Sequence, residues 1–258
     1  MAWTAFPHPD DAYVHDAAGL AAAWQRLHIG DAEPFPKKAV LVDAWIAYHA
    51  GEFEKAMRLG LSAGIDGYSV AHKATCTYAN YLEPSEKKQL ALFEEVAERC
   101  ERHQAEQPDN PAGYYWQAYA MGRYFQRISI VKALTHGIGT KVRNCLDQTI
   151  RLAPAHADAY TALGAYHAEI IGSVGAMIGG LTYGARKDDC YRAFRQALAL
   201  NPGSASARIE YANAMLLLEG RKKMDEAAKL LKEAAAVLPQ DARERLELET
   251  AKAQLEGS

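Results

Sequence analysis

The sequence predicts an all-α fold made of about five antiparallel helix pairs, each packed against the next. The main observation is a repeated spacing of small and large residues that ends in proline. Offsets of 0, 4, 7 and 12 describe both Cys190, Phe194, Ala197 and Pro202 and, later in the chain, Ala227, Leu231, Ala234 and Pro239. These are helical spacings, and proline ends a helix. No stretch has the alternation of apolar and polar residues that is typical of a strand.

A second observation concerns the region just before the first copy of this pattern. It places Tyr160, Leu163, Gly164 and His167 at offsets of 0, 3, 4 and 7, which is also a helical spacing. A small residue such as Gly164 allows two helices to approach closely, while large residues fill the space between them. The two halves therefore read as the first and second helix of one pair.

These motifs resemble the two halves of a tetratricopeptide (TPR) repeat, and the resemblance extends over nearly the whole chain. It implies a right-handed superhelical solenoid but says almost nothing about function, and no catalytic residues carry over from it. Residues 163–202 are similar to the regulator of microtubule dynamics family. The segment TYANYL and the chain through LGAYHAEI also resemble the T-component of TRAP transporters, a periplasmic helical-repeat protein proposed to handle apolar ligands.

We expect a single domain with three parts: an N-terminal cap (10–36), the repeats (37–239) and a C-terminal cap (240–258). Caps cover the open apolar faces of the end repeats. In the first pair, the sequence GEFEKAM predicts a tight turn at Gly51, with Phe53 filling the corner and Ala56 at a helix contact. Ser85 is the expected N-cap of a later helix, and Pro111 suits a first helical turn.

Two insertions are predicted from the spacing of the terminating prolines. Pro108, Pro154, Pro202 and Pro239 are separated by 46, 48 and 37 residues, whereas a plain TPR repeat has about 34. The extra residues fall between the two helices of the third pair, at 125–139, and of the fourth pair, at 169–186. Since adjacent repeats stack in register, we expect the two insertions to emerge side by side.

Composition limits the classes of partner. Among 258 residues, 49% are hydrophobic and 24% are charged, and the formal net charge is −3. Because nucleic acids and anionic membranes usually attract basic proteins, neither is expected as a partner. The longest uncharged apolar run, 170–185, is broken by glycines and shorter than a membrane span. The N-terminus lacks the basic region of a secretory signal, so the expected location is cytoplasmic.

A search for catalytic or metal chemistry finds no convincing motif. The four cysteines are far apart and include no CxxC pair, so no zinc site is expected, and they read as small core residues in a reducing compartment. There is no HExxH, no GxSxG and no phosphate-binding GxGxxG or GKS/T pattern. His167 is interpreted as a hydrogen-bonded interior histidine. We therefore expect no enzyme activity, no metal and no cofactor.

An aromatic stripe suggests a binding surface instead. Tyr115, Tyr119 and Arg123 follow one another at intervals of four residues on the first helix of the third pair, on the face expected to line the concave groove. Tyrosine and tryptophan offer rigid contact area, and arginine pairs with carboxylates. The alternative is that these rings pack against the N-terminal helix or the insertions. The predicted partner-binding residues are Trp45, Tyr48, His49, Tyr115, Tyr119, Arg123, Thr161 and Asn213.

The insertions are rich in apolar side chains, and large apolar patches are rarely left exposed. Three outcomes stay open: an internal subdomain, a contact between copies of the chain in a homo-oligomer, or a site for an apolar ligand or membrane. The expected members of this insertion patch are Ile130, Leu134, Val174, Met177, Ile178 and Tyr183.

Two functional hypotheses follow from the sequence. The first is a non-catalytic scaffold that binds a protein or peptide segment in the concave groove. The alternative is a carrier of an apolar small molecule or lipid that uses the insertions at 125–139 and 169–186.

Overall fold

The computed structural model describes residues 3–128 and 137–257, and in these ranges the regular structure is helical, without strands. The α-helices are α1 (Ala17–Leu27), α2 (Ala39–His49), α3 (Phe53–Ser62), α4 (Tyr68–Tyr81), α5 (Glu86–Glu106), α6 (Pro111–Arg127), α7 (Ile138–Leu152), α8 (Ala157–Tyr183), α9 (Lys187–Leu200), α10 (Ala205–Glu219), α11 (Met224–Ala235) and α12 (Ala242–Glu256). Short 3₁₀ helices cover Asp11–Tyr13, Gly64–Gly67 and Gly220–Lys223. The predicted all-α fold is confirmed.

The chain divides into two compact units. The described part of unit 1 comprises residues 3–28, 33–128 and 239–245, and that of unit 2 comprises 29–32, 137–238 and 246–257. The single-domain organisation expected from the sequence stays a prediction.

Unit 1 is built around α4, whose residues from Tyr68 to Ala79 are all buried. The first helices of successive pairs pack against one another, α2 on α4 and α4 on α6, while α3 and α5 pack beside them. A helix that is covered on all sides must satisfy its own polar groups. Accordingly, the Thr75 hydroxyl donates to the Ala71 carbonyl at 2.7 Å, and the hydroxyls of Thr77 and Tyr48 lie 3.1 Å apart.

The first predicted helix pair agrees closely with the structure. Gly51 has φ +87° between α2 and α3, a conformation that glycine adopts without steric cost. Phe53 and Ala56 are buried in α3 as expected. Phe6, from the N-terminal segment, packs edge-on against Phe53 at 6.3 Å between ring centroids.

The predicted helix starts agree less uniformly with the structure. Pro111 occupies the first turn of α6, as predicted, and Asn110 accepts a hydrogen bond from the Ala112 backbone. Ser85 directly precedes α5, but its side chain makes no capping hydrogen bond. The buried Glu83 carboxylate instead accepts from the Ser85 backbone N–H at 3.0 Å and from the Tyr78 hydroxyl at 2.7 Å. The Glu83 carboxylate therefore joins the residue before α5 to α4.

Unit 2 contains α7 to α11 and most of α12. Helix α8 packs against α7, α9 and α10. Phe194 of α9 is fully buried, and its ring stacks on Tyr211 of α10 at 4.9 Å. Ala212, Ala227 and Ala234 form part of the core between α10 and α11.

The insertion expected at 169–186 is not a separate segment, because α8 continues through it to Tyr183. The helix is interrupted only at Gly175, which has φ 79° and ψ 160°, and it ends at Gly184 in the left-handed region. The insertion expected at 125–139 begins inside a helix, since α6 extends to Arg127 with Phe125 buried. Residues 129–136 of this insertion lie outside the described residues.

The contact between α8 and α9 depends on the absence of a side chain at Gly164. A Cβ built there would lie 2.7 Å from the Phe194 ring. We expect Gly164→Ala to destabilise the protein by about 1–2 kcal/mol, because overpacking at this contact outweighs the better helix propensity of alanine. Thermal unfolding followed by circular dichroism measures the effect.

Gly122→Ala is a matched control, since it also lies within a helix but has no neighbouring atom within 4 Å of the added Cβ. It should be neutral or stabilising by about 0.5–1 kcal/mol. Equal melting temperatures for the two variants would contradict the proposed contact.

Candidate functional site

The predicted partner-binding residues of unit 1 belong to the first-helix face, which we define as the surface that α2, α4 and α6 form together. Trp45, Tyr48 and His49 lie on α2, and all three are at most 3% exposed. Tyr115 on α6 is also buried, whereas Tyr119 and Arg123 are half-buried. Only the last two therefore keep accessible surface on this face, and the binding role of the set stays a prediction.

The N-terminal helix covers much of α2. The Trp24 ring of α1 packs edge-on against Trp45 at 5.6 Å, and His28 lies edge-on to Trp45 at 4.7 Å. The indole N–H of Trp24 donates to the Glu33 carbonyl at 2.8 Å. For Trp45, the arrangement matches the alternative that its ring packs against the N-terminal helix.

On α6 the aromatic side chains form a continuous series of edge-to-face contacts that ends at a cation. The centroid of the Trp116 ring lies 4.8 Å from that of Tyr115 and 5.4 Å from that of Tyr119. The Arg123 guanidinium carbon lies 5.2 Å from the centroid of the Tyr119 ring. Arg123 also donates to the Gln126 side chain at 3.1 Å. Burial raises the pKa of the Tyr119 hydroxyl, so it stays protonated and can donate a hydrogen bond.

A chain of three buried polar groups connects α1, α2 and the residue before α12. Nδ1 of His49 lies 2.8 Å from Oδ2 of Asp241, and Nε2 of His49 lies 3.2 Å from Nε2 of His28. An ionised carboxylate only accepts, so His49 donates to Asp241. Between the two Nε2 atoms one donates and the other accepts. None of these residues was predicted to interact.

Burial alone would raise the pKa of Asp241, but the hydrogen bond from His49 and its positive charge lower it to about 2. Lys73 of α4 acts in the same direction. The Lys73 ammonium is itself buried and lies 5.4 Å from the centroid of Trp45 and 5.2 Å from that of Tyr48. Aromatic faces and a carboxylate thus compensate for the loss of water around this cation.

A second cluster of histidines lies between α4 and α5. The His72 and His103 rings are 5.4 Å apart, and Sγ of Cys100 lies 3.5 Å from Nδ1 of His72. Burial lowers the pKa of both histidines, that of His72 well below its usual value, so both are neutral at pH 7. Over the described ranges, no group of three or more histidine, cysteine, aspartate or glutamate side chains is arranged to hold a metal ion.

In unit 2, the two predicted binding residues differ in accessibility. Thr161 of α8 is buried, and its hydroxyl lies 3.4 Å from the Ala157 carbonyl. Asn213 of α10 is exposed. His167 is an interior histidine whose Nδ1 accepts from the Arg186 backbone N–H at 3.3 Å, and burial lowers its pKa to about 4.

The insertion patch is partly exposed where the structure describes it. Beyond the kink at Gly175, Met177, Ile178 and Leu181 are 75%, 50% and 85% exposed. Val174 and Tyr183 are half-buried, and the Tyr183 carbonyl accepts from the Tyr166 hydroxyl at 3.2 Å. Ile130 and Leu134 lie outside the described residues, so the expected neighbourhood of the two insertions stays a prediction.

Sequence reasoning missed His28, Lys73 and Asp241. The pair Asp241 and Glu244 has the spacing of a reciprocal helix cap, which could have located the start of α12. No local pattern, however, links Asp241 to a histidine 192 residues earlier.

None of the described helices is both long and apolar enough to cross a membrane.

No protein-family model matches this chain, and no curated protein matches it significantly. Among solved structures, the chain is similar to TTC0263, a thermophilic TPR protein of Thermus thermophilus. The TM-score is 0.59 at 18% identity, over 83% of this chain and 97% of that one. This likeness shows a TPR-like helical-repeat fold, as the sequence predicted.

Two further likenesses have TM-scores too low to carry an argument. YrrB, described as a TPR protein with an unusual peptide-binding site, gives 0.41 at 16% identity over 92% of this chain and 100% of that one. MamA gives 0.42 at 19% identity over 84% and 93%. The finer resemblances to the regulator of microtubule dynamics family and the T-component stay predictions.

The lowered pKa of His167 predicts a specific dependence of stability on pH. The unfolded state binds a proton near pH 6.5 but the folded state only near pH 4, so His167 opposes folding increasingly as pH falls between these values. His167→Asn keeps an acceptor for the Arg186 N–H and removes the titration. We expect the stability advantage of the unchanged chain over the variant to shrink by about 1.4 kcal/mol per pH unit in this window.

Urea unfolding at a series of pH values from 7.5 to 4.5 measures this difference. A constant difference across the window would show that His167 does not titrate as its burial requires.

Proposed function

We propose that this protein is a non-catalytic scaffold that binds a protein or peptide segment on the first-helix face of unit 1. The observation that carries the proposal is the half-buried pair of Tyr119 and Arg123, with the guanidinium 5.2 Å above the ring. Tyrosine and arginine are enriched among the residues that dominate binding energy at interfaces. The TPR-like fold supports this use of a helical face.

The chemistry of the pair suggests how a partner would bind. Packing against Trp116 holds the Tyr119 ring in place, so little side-chain entropy is lost when a partner contacts it. Arg123 provides N–H donors for a carboxylate or a backbone carbonyl. The other predicted contacts, Thr161 and Asn213, belong to unit 2, and their role in binding stays a prediction of the sequence.

The buried nucleophiles and bases support a non-catalytic role. Burial raises the pKa of the Cys76 thiol, and that of Cys190 to about 12, which leaves both thiols protonated. A protonated thiol is a poor nucleophile. His72 and His167 are enclosed in the core and lack access to a substrate.

Arg123→Ala tests the proposed surface. With the purified chain as bait and quantitative mass spectrometry as readout, we expect recovery of specific partners to fall about thirtyfold, because a central arginine typically contributes about 2 kcal/mol to binding. Tyr119→Ala should act similarly, whereas Tyr119→Phe keeps the ring and should retain most binding.

Arg102→Ala is the matched control, because Arg102 is an exposed arginine on α5 that pairs with Glu106. Circular dichroism of each variant verifies that helicity is retained. If folded Arg123→Ala captures the same partners as the unchanged chain, the proposed surface is wrong.

The exposed end of α8 favours a second candidate function, in which the apolar side chains of the insertion contact an apolar ligand or lipid. Met177, Ile178 and Leu181 are near one another in the sequence and are all exposed. Together they expose more apolar surface than single exposed residues, which are normal on proteins, would expose. The competing occupant is a second copy of the chain.

Leu181→Ser separates these outcomes. If a lipid-like ligand binds there, native mass spectrometry shows a co-purifying mass that the variant loses. If a second copy binds, sedimentation analysis shows a dimer that the variant weakens. A monomer without a bound mass in the unchanged chain would remove both.

A further inference from the structure

The segment Pro239–Arg245 has an unusual place in the chain. Residues before and after it belong to unit 2, yet the segment itself packs within unit 1. Its side chains contact helices that lie far away in the sequence. It therefore meets the first-helix face as a short ligand would, through contacts confined to a few consecutive residues.

Opposite charges hold the segment in place. Asp241 is 4% exposed and bonds to His49, while Lys73 lies close enough to lower its pKa. Both oxygens of Glu244 accept from the Arg26 guanidinium, at 2.7 and 3.1 Å. Two carboxylates three residues apart thus meet basic groups from α1, α2 and α4.

The segment also sets its own shape. Oδ1 of Asp241 accepts from the Glu244 backbone N–H at 2.8 Å, and Oε2 of Glu244 accepts from the Gln240 backbone N–H at 2.8 Å. These two hydrogen bonds fix the start of α12 with local residues alone. Any segment with Asp, two residues and Glu at a helix start can present the same two carboxylates.

The basic side chains of the segment extend its contacts. Burial raises the pKa of the Tyr119 hydroxyl, and the positive charge of Arg243 acts in the opposite direction. Arg245 forms a hydrogen bond with Tyr13. Through Asp241 the segment lies against α2, one of the helices of the first-helix face, on which the scaffold proposal places a partner.

We propose that Pro239–Arg245 is a tethered, autoinhibitory ligand of the first-helix face. The partner is a protein segment that begins a helix with the same Asp-x-x-Glu pattern and binds by displacing it. The proposal rests on the proposed function and names the chemistry of its partner. A tethered segment competes at an effective concentration in the millimolar range, so the intact chain binds such a partner weakly until the tethered segment is released.

A labelled peptide of residues 237–250, VLPQDARERLELET, tests the proposal by fluorescence anisotropy. The receptor is the full chain with Asp241→Ala and Glu244→Ala, which weakens the resident segment and leaves Arg26, His49 and Lys73 unchanged. We expect the peptide to bind this variant with a Kd at least tenfold lower than that for the unchanged chain.

Two controls define the site. A peptide carrying the same two alanines should not bind, since it lacks both carboxylates. Adding Arg26→Ala to the receptor should weaken binding of the acidic peptide about tenfold, because Arg26 is the partner of Glu244 and is itself 42% exposed, so that its loss spares the core. Circular dichroism verifies the fold. If the double variant does not fold, the receptor becomes Glu244→Ala, with a smaller expected gain of about threefold.

The proposal is overturned if the acidic peptide binds no folded variant, or if it binds the unchanged chain equally well. If the peptide does not bind but Arg123→Ala loses its captured partners, only the autoinhibitory role of the segment is wrong. If the peptide binds as expected but Arg123→Ala captures the same partners as the unchanged chain, only the proposed partner surface is wrong.

Discussion

Each helix pair of this chain has an apolar face that only a neighbouring helix can cover, and this requirement organises both units. To cover this apolar face, two helices must approach closely. Small residues permit the approach, and large side chains fill the remaining space between the helices. At Gly164 the Phe194 ring occupies the space where a methyl group would lie. Because the free energy of folding is a small difference between large terms, a few such contacts decide whether a pair is stable.

The same close packing creates the polar centre of unit 1. When α4 is covered on all sides, its Lys73 and His72 are removed from water together with its apolar residues. The chain resolves this in two ways. The Lys73 side chain lies beside aromatic rings and helps to lower the pKa of Asp241, whereas His72 loses its charge because burial lowers its pKa.

Charge complementarity also explains why a distant segment belongs to unit 1. Asp241 and Glu244 meet basic groups from three helices, and the loss of either partner would leave a charge without its counterpart. Such contacts are specific but replaceable, because another chain with the same local pattern offers the same carboxylates.

The sequence by itself determined that the chain is helical and where the first pair turns, since these features depend on residues a few positions apart. Gly51, Phe53 and Gly164 have the roles that their spacing predicted. The sequence predicted that both insertions lie between the two helices of a pair, but it did not show that α8 continues through most of the second one. The apolar, glycine-containing composition of this second insertion is compatible both with a helix and with an irregular loop. Contacts with neighbouring residues decided between the two.

Only the tertiary structure decided which parts of the aromatic stripe are accessible. Trp45, Tyr48 and His49 have the spacing of a helical face, but spacing cannot tell whether another segment covers that face. In this chain α1 and residues 239–245 do so in unit 1, leaving Tyr119 and Arg123 half-exposed. The physical reason is that periodicity reports contacts within a few turns of helix, whereas an ion pair such as His49 with Asp241 exists only after distant residues have been brought together.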